Sequence, residues 1–484
     1  MKKAGPDLSG VRETELERGI RFCIALLTFT SPLTASAGDK PNVLWIIAED
    51  IGLDLGCYEV PAARTPNLDR LAAEGRLYRH AYSTAPVCSA ARSALITGMY
   101  QTAIGAHHHR SHRTDGYRLT PGVETIMDRL RPAGYHTANI RHFPVGVPLK
   151  CGGKTDWNFQ VEGKPFDTDR WGLLKEQQPF FAQVNFFETH RVYEPARRDP
   201  TDPAQVRLPP YLPDHPMVRE DWARYLDSVA TLDQKTGVVL DLLEKEGLRD
   251  NTLVFWFGDN GRDDFRGKFY AYEQGCQVPL IVRWPGVVPA GSVSEELVSL
   301  IDVTATTLAL AGVPLPSNLH GQPFLGPQTR PREYLFTARD RIDETLDRVR
   351  TVRDRQFKFI RNCEPQRPYY QPFRYIEFDQ YNPLPALLKQ LHAEGRLNAA
   401  QARMFAPSRP PEELYDLEND PFELHNLANV FEHRATRERL RAELDRWITQ
   451  TADQGAIPED PAVRAMELQS YEDAVQKLEE RWKP

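Results

Sequence analysis

The sequence predicts an α/β fold with a large, mostly parallel central sheet covered by helices, followed by a smaller antiparallel sheet near the C-terminus. Three observations carry this expectation. Continuous apolar runs of strand length recur along the N-terminal part of the chain, and such runs belong to strands buried on both faces. Amphipathic helical stretches alternate with them, which is the arrangement that covers a parallel sheet on both sides. Near Pro331 the texture changes to short strands separated by turns.

The first run, Asn42-Val43-Leu44-Trp45-Ile46-Ile47-Ala48, stops at Glu49 and Asp50. In open α/β sheets the C-terminal edge of the strands is where sites form. Helices are expected from Asn67 to Glu74, from Arg92 onwards, and from Gly122 to Arg131 behind Pro121. Residues 179–187 form a second buried strand leading to Glu188-Thr189-His190, and residues 221–246 a long amphipathic helix. Asn251 to Phe257 is a third strand, ending at Gly258-Asp259-Asn260-Gly261. A fourth, Val278 to Val282, leads into the Trp284-Pro285-Gly286 turn. Beyond Pro331, strands at Tyr334 to Thr337, Arg348 to Arg353 and Phe357 to Arg361 precede a proline- and aromatic-rich loop at 368–385. Leu414-Tyr415-Asp416-Leu417 with Asn419-Asp420-Pro421 is a strand and turn, His433 to Ile448 an amphipathic helix, and Pro461 to Pro484 a charged helix.

Bulk properties bound the function. A chain of 484 residues buries a large core and divides into two unequal domains. A net charge of −7 argues against nucleic acid as the main partner, which wants a concentrated basic surface. After the N-terminus no apolar run is long enough for a membrane span. Ile24 to Phe29, preceded by Arg18 and Arg21 and followed by Ala35-Ser36-Ala37, resembles a secretory signal peptide over residues 1–37 with an extended n-region. The expected location is therefore secreted or periplasmic; a disordered arm with a short apolar helix is the alternative. Cleavage leaves Cys57, Cys88, Cys151, Cys276 and Cys363, too sparse for a disulfide framework. The rest divides into a large domain at 38–330, a smaller one at 331–452 and a charged helical tail at 453–484.

Chemistry concentrates at Cys88-Ser89-Ala90-Ala91-Arg92, continued as Ser93-Ala94-Leu95-Ile96-Thr97-Gly98. At a helix N-terminus, unpaired backbone N–H groups favour a thiolate or a bound oxyanion at Cys88. Arg92, one turn on, faces the same way and suits a bidentate contact to a tetrahedral anion. A free cysteine is more often a buried small hydrophobe, so spacing alone leaves both readings open.

Together these motifs resemble the formylglycine-dependent (type I) sulfatases of the alkaline phosphatase superfamily, over roughly residues 40–450. The anchor is Cys88-x-Ala90-x-Arg92 with Leu95-Ile96-Thr97-Gly98. Support comes from Pro41-Asn42-Val43-Leu44 with Glu49-Asp50, Thr65-Pro66-Asn67-Leu68-Asp69, Gly258-Asp259-Asn260-Gly261, and Gly267-Lys268 before Val278-Pro279-Leu280-Ile281. The resemblance implies an alkaline-phosphatase-like sandwich with its catalytic domain at 38–330. It implies that a formylglycine-generating maturation enzyme oxidises Cys88 to Cα-formylglycine, whose hydrate is a geminal diol. One hydroxyl attacks sulfur and the alcohol leaves; the second then collapses to the aldehyde and expels sulfate.

By the same resemblance Arg92 orients and neutralises the sulfate, and Glu49, Asp50, Asp259 and Asn260 hold a metal ion. These hard oxygen donors suit Ca²⁺, favoured here over Mg²⁺, and the ion polarises a sulfate oxygen. Glu49 departs from the aspartate usual at that position. Lys268 matches the lysine that contacts sulfate and the leaving oxygen, and His190 the histidine that helps protonate the departing alcohol. Lys154, in Gly153-Lys154-Thr155-Asp156, is read as the sulfate-binding lysine displaced by a loop from Gly134-Tyr135-His136-Thr137-Ala138. His142 or Asp156 then takes the place of the histidine that normally follows. The basic stretch His107-His108-His109-Arg110 with His112 and Arg113 either faces the pocket, with His109 a candidate contact, or is solvated surface. The expected reaction is hydrolysis of an organic, carbohydrate-borne sulfate. Trp157, Arg361, Arg367, Tyr369, Tyr370, Arg374 and Tyr375 would suit a charged sugar. The alternatives are a phosphodiester or phosphonate monoester hydrolase on the same scaffold, and a catalytically silent glycan-binding member.

Overall fold

A computed structural model describes residues 40–112, 115–193, 198–371, 373, 377 and 382–481. The signal-peptide segment at 1–37 lies outside the described residues, as do Arg113, Arg374 and Tyr375.

Eight strands form the main sheet: β1 (Asn42–Ala48), β2 (Arg76–Tyr82), β3 (His136–His142), β4 (Thr168–Arg170), β5 (Phe180–Phe186), β6 (Thr252–Gly258), β7 (Gln277–Arg283) and β8 (Ser292–Ser299). Their order is β4-β3-β5-β1-β6-β7-β2-β8. The sheet is mixed, because β7 runs antiparallel to both β6 and β2 while the remaining pairs are parallel. Strand β1 sits between β5 and β6, and all seven of its residues are buried. Its side chains alternate between two cores. Leu44, Ile46 and Ala48 enter one apolar cluster, and Val43, Trp45 and Ile47 another. That alternation is why the segment reads as one unbroken apolar run.

Helix Pro216–Lys245 covers the first face, contributing Val218, Leu226, Val239 and Leu243 to its core. Helix Leu300–Leu310 covers the other through Leu300, Val303 and Leu308. The expected helix at 122–131 is shorter, Ile126–Leu130. Gly122 adopts a left-handed φ of 91°, and Thr125 with Asp128 forms a capping box that starts the helix. The long helix begins earlier than expected, at Pro216, where His215 caps it and proline fits the first turn.

A second, antiparallel sheet follows: β9 (Leu335–Arg339), β10 (Val349–Arg353), β11 (Phe357–Asn362) and β12 (Glu412–Asp416), in the order β12-β11-β10-β9. Helix Arg434–Gln450 packs Leu440, Leu444 and Trp447 against Phe336, Val352, Phe359 and Leu414. The fold is thus an α/β sandwich with a large central sheet covered by helices and a smaller C-terminal antiparallel sheet. Among the described residues, no helix is long and apolar enough to cross a membrane.

Candidate active site

The site is built at the C-terminal ends of β1, β5 and β6. The backbones leaving β1 and β6 are laced together: the Asp259 amide donates to the Ala48 carbonyl at 3.0 Å and the Ile51 amide to the Asn260 carbonyl at 3.0 Å. Asp50 takes a left-handed φ of 47°, and its amide donates to Asp259 Oδ1 at 3.1 Å. Asp50 and Asp259 therefore stand side by side, both buried.

Cys88 is the first residue of helix Cys88–Thr97, entered from an extended Val87. The helix thus starts one turn before Arg92, and Cys88 stands at its N-terminus. The Cys88 Sγ lies 3.7 Å from Asp50 Oδ1. One atom each from Asp50, Cys88 and Asp259 fall within 4.8 Å of one another, a buried cluster able to hold a metal ion. Burial pushes the Cys88 thiol up, and the Asp50 and Asp259 carboxylates add to that, against Lys154 and Lys268. The helix terminus that favours a thiolate is thus outweighed by burial.

Arg92 is held on two sides, with Nε donating to Asp259 Oδ2 at 2.8 Å and Nη1 to Asn185 Oδ1 at 2.7 Å. Its Nη2 is buried without a hydrogen-bond partner, 4.0 Å from Glu49 Oε1. Lys268 Nζ donates to Asp50 Oδ2 at 2.6 Å and lies 3.3 Å from His190 Nε2. Its loop is tied to the approach to Cys88, since the Phe269 amide donates to the Pro86 carbonyl at 2.7 Å. Burial raises the Asp50 carboxyl, but Lys268, His190 and Lys154 together override it and hold the group at about 2. His190 Nδ1 faces the Arg191 carbonyl at 2.8 Å. A carbonyl only accepts, so Nδ1 carries a proton and Nε2 is the atom turned to Lys268.

Lys154 reaches the same place from the far side of β5. Its Nζ donates to Glu49 Oε2 at 2.7 Å and sits 3.8 Å from Asp156 Oδ2. Contacts that hold this segment include Asn139 Nδ2 on the Gly153 carbonyl at 2.8 Å and the Asn158 amide on Ser93 Oγ at 2.9 Å. Burial lowers the Lys154 ammonium, yet the acidic groups around it, Cys88, Glu49 and Asp156, push it up overall.

Of the candidates read from sequence, Cys88, Arg92, Lys154, His190, Lys268, Glu49, Asp50, Asp259, Asn260 and Asp156 come together here. Glu49 faces Lys154 and Arg92 rather than joining the Asp50–Cys88–Asp259 cluster. His142 does not join them. It is exposed at the end of β3, with Nε2 3.4 Å from Asp169 Oδ2. His109 is buried beside the first turn of the Cys88 helix, its Nδ1 2.8 Å from Ser89 Oγ. Two residues escaped the sequence reading. Asn185, the penultimate residue of β5, was findable from the same strand-edge rule that marks Asp50 and Asp259. Asp343, in the β9–β10 connection, lies 3.6 Å from Arg110 Nη1 and 3.9 Å from His109 Nε2, and no local motif announces it. From the sugar-suited set, Tyr369 and Tyr370 are buried, and Arg361 pairs with Asp445 at 2.6 Å.

A sheet edge that gathers buried carboxylates, two lysines and an arginine around one helix-start cysteine is the architecture of an alkaline-phosphatase-type hydrolase. The sulfatase family model matches residues 41–159 and 168–313. The model of the N-sulphoglucosamine sulphohydrolase C-terminal region matches residues 261–369. An ulvan-active sulfatase of Formosa agariphila is 33% identical, over 88% of this chain and 78% of its own. Human N-sulphoglucosamine sulphohydrolase is 28% identical, over 85% of this chain and 90% of its own. The crystal structure of a phosphonate monoester hydrolase from Agrobacterium radiobacter superposes with a TM-score of 0.62 at 19% identity, covering 86% of this chain and 97% of that one, a likeness of fold alone. The chain belongs to the formylglycine-dependent, type I sulfatase family and is a sulfatase-type hydrolase.

Proposed function

We propose that this protein hydrolyses a carbohydrate sulfate ester, R–O–SO₃⁻, with water to the alcohol and inorganic sulfate. The observation that carries the reading is the convergence of three cations, Arg92, Lys154 and Lys268, on the surroundings of a cysteine that is the first residue of a helix. A carbohydrate substrate is supported by the relatives named above, which act on ulvan and bear the name of N-sulphoglucosamine.

In this reading the maturation enzyme oxidises Cys88 to formylglycine, whose hydrate supplies the hydroxyl that attacks sulfur. Asp50, Asp259 and Asn260, with Glu49 beside them, would hold Ca²⁺, which would supply Lewis-acid polarisation of a sulfate oxygen. The residues fit such an ion: the donors are hard oxygens, and the buried Asn260 Oδ1 accepts no hydrogen bond. Arg92 turns its unspent Nη2 N–H groups to the sulfate, and Lys154 and Lys268 neutralise its remaining charge. His190, with Nδ1–H held by the Arg191 carbonyl, turns Nε2 towards the site as the proposed proton donor to the departing alkoxide. Export through the segment 1–37 belongs to the same reading.

The test uses protein from a maturation-competent host. The Cys88 peptide carries the mass change of CH₂–SH to CHO, sugar sulfates turn over faster than matched phosphate esters, and Cys88→Ala abolishes turnover. A phosphate preference, or full activity in Cys88→Ala, overturns the proposal.

A further inference from the structure

A cavity of about 350 Å³ lies between the β9–β10 connection, the loop after β11 and the segment 455–464. Its wall carries four acidic and four arginine side chains, and their pairing is uneven. Asp340 is matched by Arg350 at 3.0 Å, Asp347 by Arg339 at 2.8 Å and Arg409 at 2.6 Å, and Glu459 by Arg341 at 2.6 Å. That leaves Arg348, Arg367 and Arg464 facing Glu364. None of these three arginines forms an ion pair among the described residues. Arg348 spends Nη1 on the Gly455 carbonyl at 3.4 Å, and the Nε atoms of Arg348 and Arg367 are buried with no acceptor. A buried guanidinium N–H left without a partner is costly, and an anion entering the cavity removes that cost.

This cavity is joined to the catalytic cluster by one stretch of chain. His108 lines it. The next residue, His109, sets its ring on Ser89, beside Cys88, and its amide donates at 2.9 Å to the carbonyl of Arg341, another wall residue. Two residues further on, Asp343 stands against His109 and Arg110.

We propose that Arg348, Arg367 and Arg464 form a second, anion-binding subsite for a sugar unit near the one being desulfated, so that the preferred substrate is a polyanionic oligosaccharide. The occupant is an oxyanion on that unit, a uronate carboxylate or a second sulfate, which the planar guanidinium fork recognises alike. The volume suits one sugar ring with its substituent. This inference rests on the sulfatase reading and extends it from the reacting ester to the rest of the polymer.

The test compares matured enzyme with Arg367→Gln, Arg464→Gln and the double variant. Four probes are used: an aryl sulfate, and three sulfated oligosaccharides alike at the sulfated unit but with uronate, sulfated or neutral neighbours. Wild type is expected to prefer the anionic neighbours, with uronate against sulfate identifying the oxyanion. In the double variant KM for the preferred oligosaccharide rises roughly tenfold, so its kcat/KM relative to that of the aryl sulfate falls accordingly. Raising the salt concentration mimics the variant. Arg464 is exposed, so its single variant tests the subsite even where Arg367→Gln unfolds. Turnover of the aryl sulfate with equal KM for all three neighbours, or variants indistinguishable from wild type, overturns the subsite. No turnover of any sulfate probe overturns the sulfatase reading instead.

Discussion

Replacing His190 separates proton delivery from structural support. Its side chain is 28% exposed, and its ties are the Nδ1–H bond to the Arg191 carbonyl at 2.8 Å and the 3.3 Å contact of Nε2 with Lys268. At about 0.5–1.5 kcal/mol for each net hydrogen bond, His190→Ala lowers stability by about 1–3 kcal/mol. His190→Asn retains an N–H where Nδ1 stands, so it keeps the Arg191 bond, loses only Nε2, and falls in the lower part of that range. Both variants remove the proposed acid. Losing a general acid slows turnover by about 10²–10⁴-fold, or about 3–5.5 kcal/mol of barrier, when the leaving group is a poorly acidic sugar alcohol. A nitrophenolate leaves without a proton, so the loss on nitrophenyl sulfate stays below about tenfold. The assay is kcat/KM on both substrates, alongside urea unfolding of each variant. Equal fold-losses on the two substrates in His190→Asn would refute the reasoning, because His190 would then act on the sulfate or on the fold. So would a fully active variant on the sugar sulfate.

Three further outcomes follow from the same geometry. Chelation with EGTA is expected to abolish turnover and lower Tm, and Ca²⁺ to restore both; an ion present at about 100 times its Kd contributes about 2.7 kcal/mol, and Asn260→Leu should need more Ca²⁺ for the same Tm. Lys154→Met strands the buried Glu49 and is expected to cost about 3 kcal/mol or more in urea unfolding; adding Glu49→Gln recovers stability but not turnover. His320 accepts the Tyr100 amide at 3.1 Å, and burial, with Arg332 adding to it, lowers its pKa from 6.5 to about 4. Its folded value lies below its unfolded value, so its contribution is fully present above about pH 6.5 and is lost as pH falls toward about 4. Titration of unfolding free energy should therefore fall by about 2 kcal/mol between about pH 7 and about pH 5 from this group, a component absent in His320→Asn.

The legible parts of the fold are those whose environment is uniform along the segment. Strands β1, β5 and β6 are buried on both faces, so their sequences are predominantly apolar, with Gln183 and Asn185 the polar exceptions inside β5. Strand β8, Ser-Val-Ser-Glu-Glu-Leu-Val-Ser, lies at the sheet edge with mixed exposure and carries no such run. Strand β2 mixes arginines and a histidine with its apolar positions, and helix Leu300–Leu310 is buried over residues 300–308 on all sides, with three threonines and Asp302 among them, so no helical stripe marks it. The site follows the same division. Asp50, Asp259 and His190 stand at the exits of legible strands, and their chemistry is visible beside the apolar runs that deliver them.

What sequence spacing does not carry is the distance between strands, and this decides between His142 and Lys154. Strand β3 is separated from β1 by β5, so a residue at the end of β3 does not arrive beside Asp50 merely because its strand ends at the same edge. His142 accordingly finishes against Asp169, the residue before Arg170, its own register partner on the outer strand β4. A functional group from this part of the chain must instead cross back over β5. The loop 143–153 makes that crossing, and Asn139 and Asn185, hydrogen-bonded to each other at 3.0 Å, mark its route from the Gly153 carbonyl to Arg92. Lys154 is thus positioned by two asparagines on neighbouring strands, Asn139 at the middle of β3 and Asn185 near the end of β5. Asn185→Leu should accordingly impair Arg92 and Lys154 together, whereas Asn139→Leu should impair Lys154 alone. A double-mutant cycle between Asn139→Leu and Lys154→Met that is additive in kcat/KM would show that the amide pair has no part in placing the lysine.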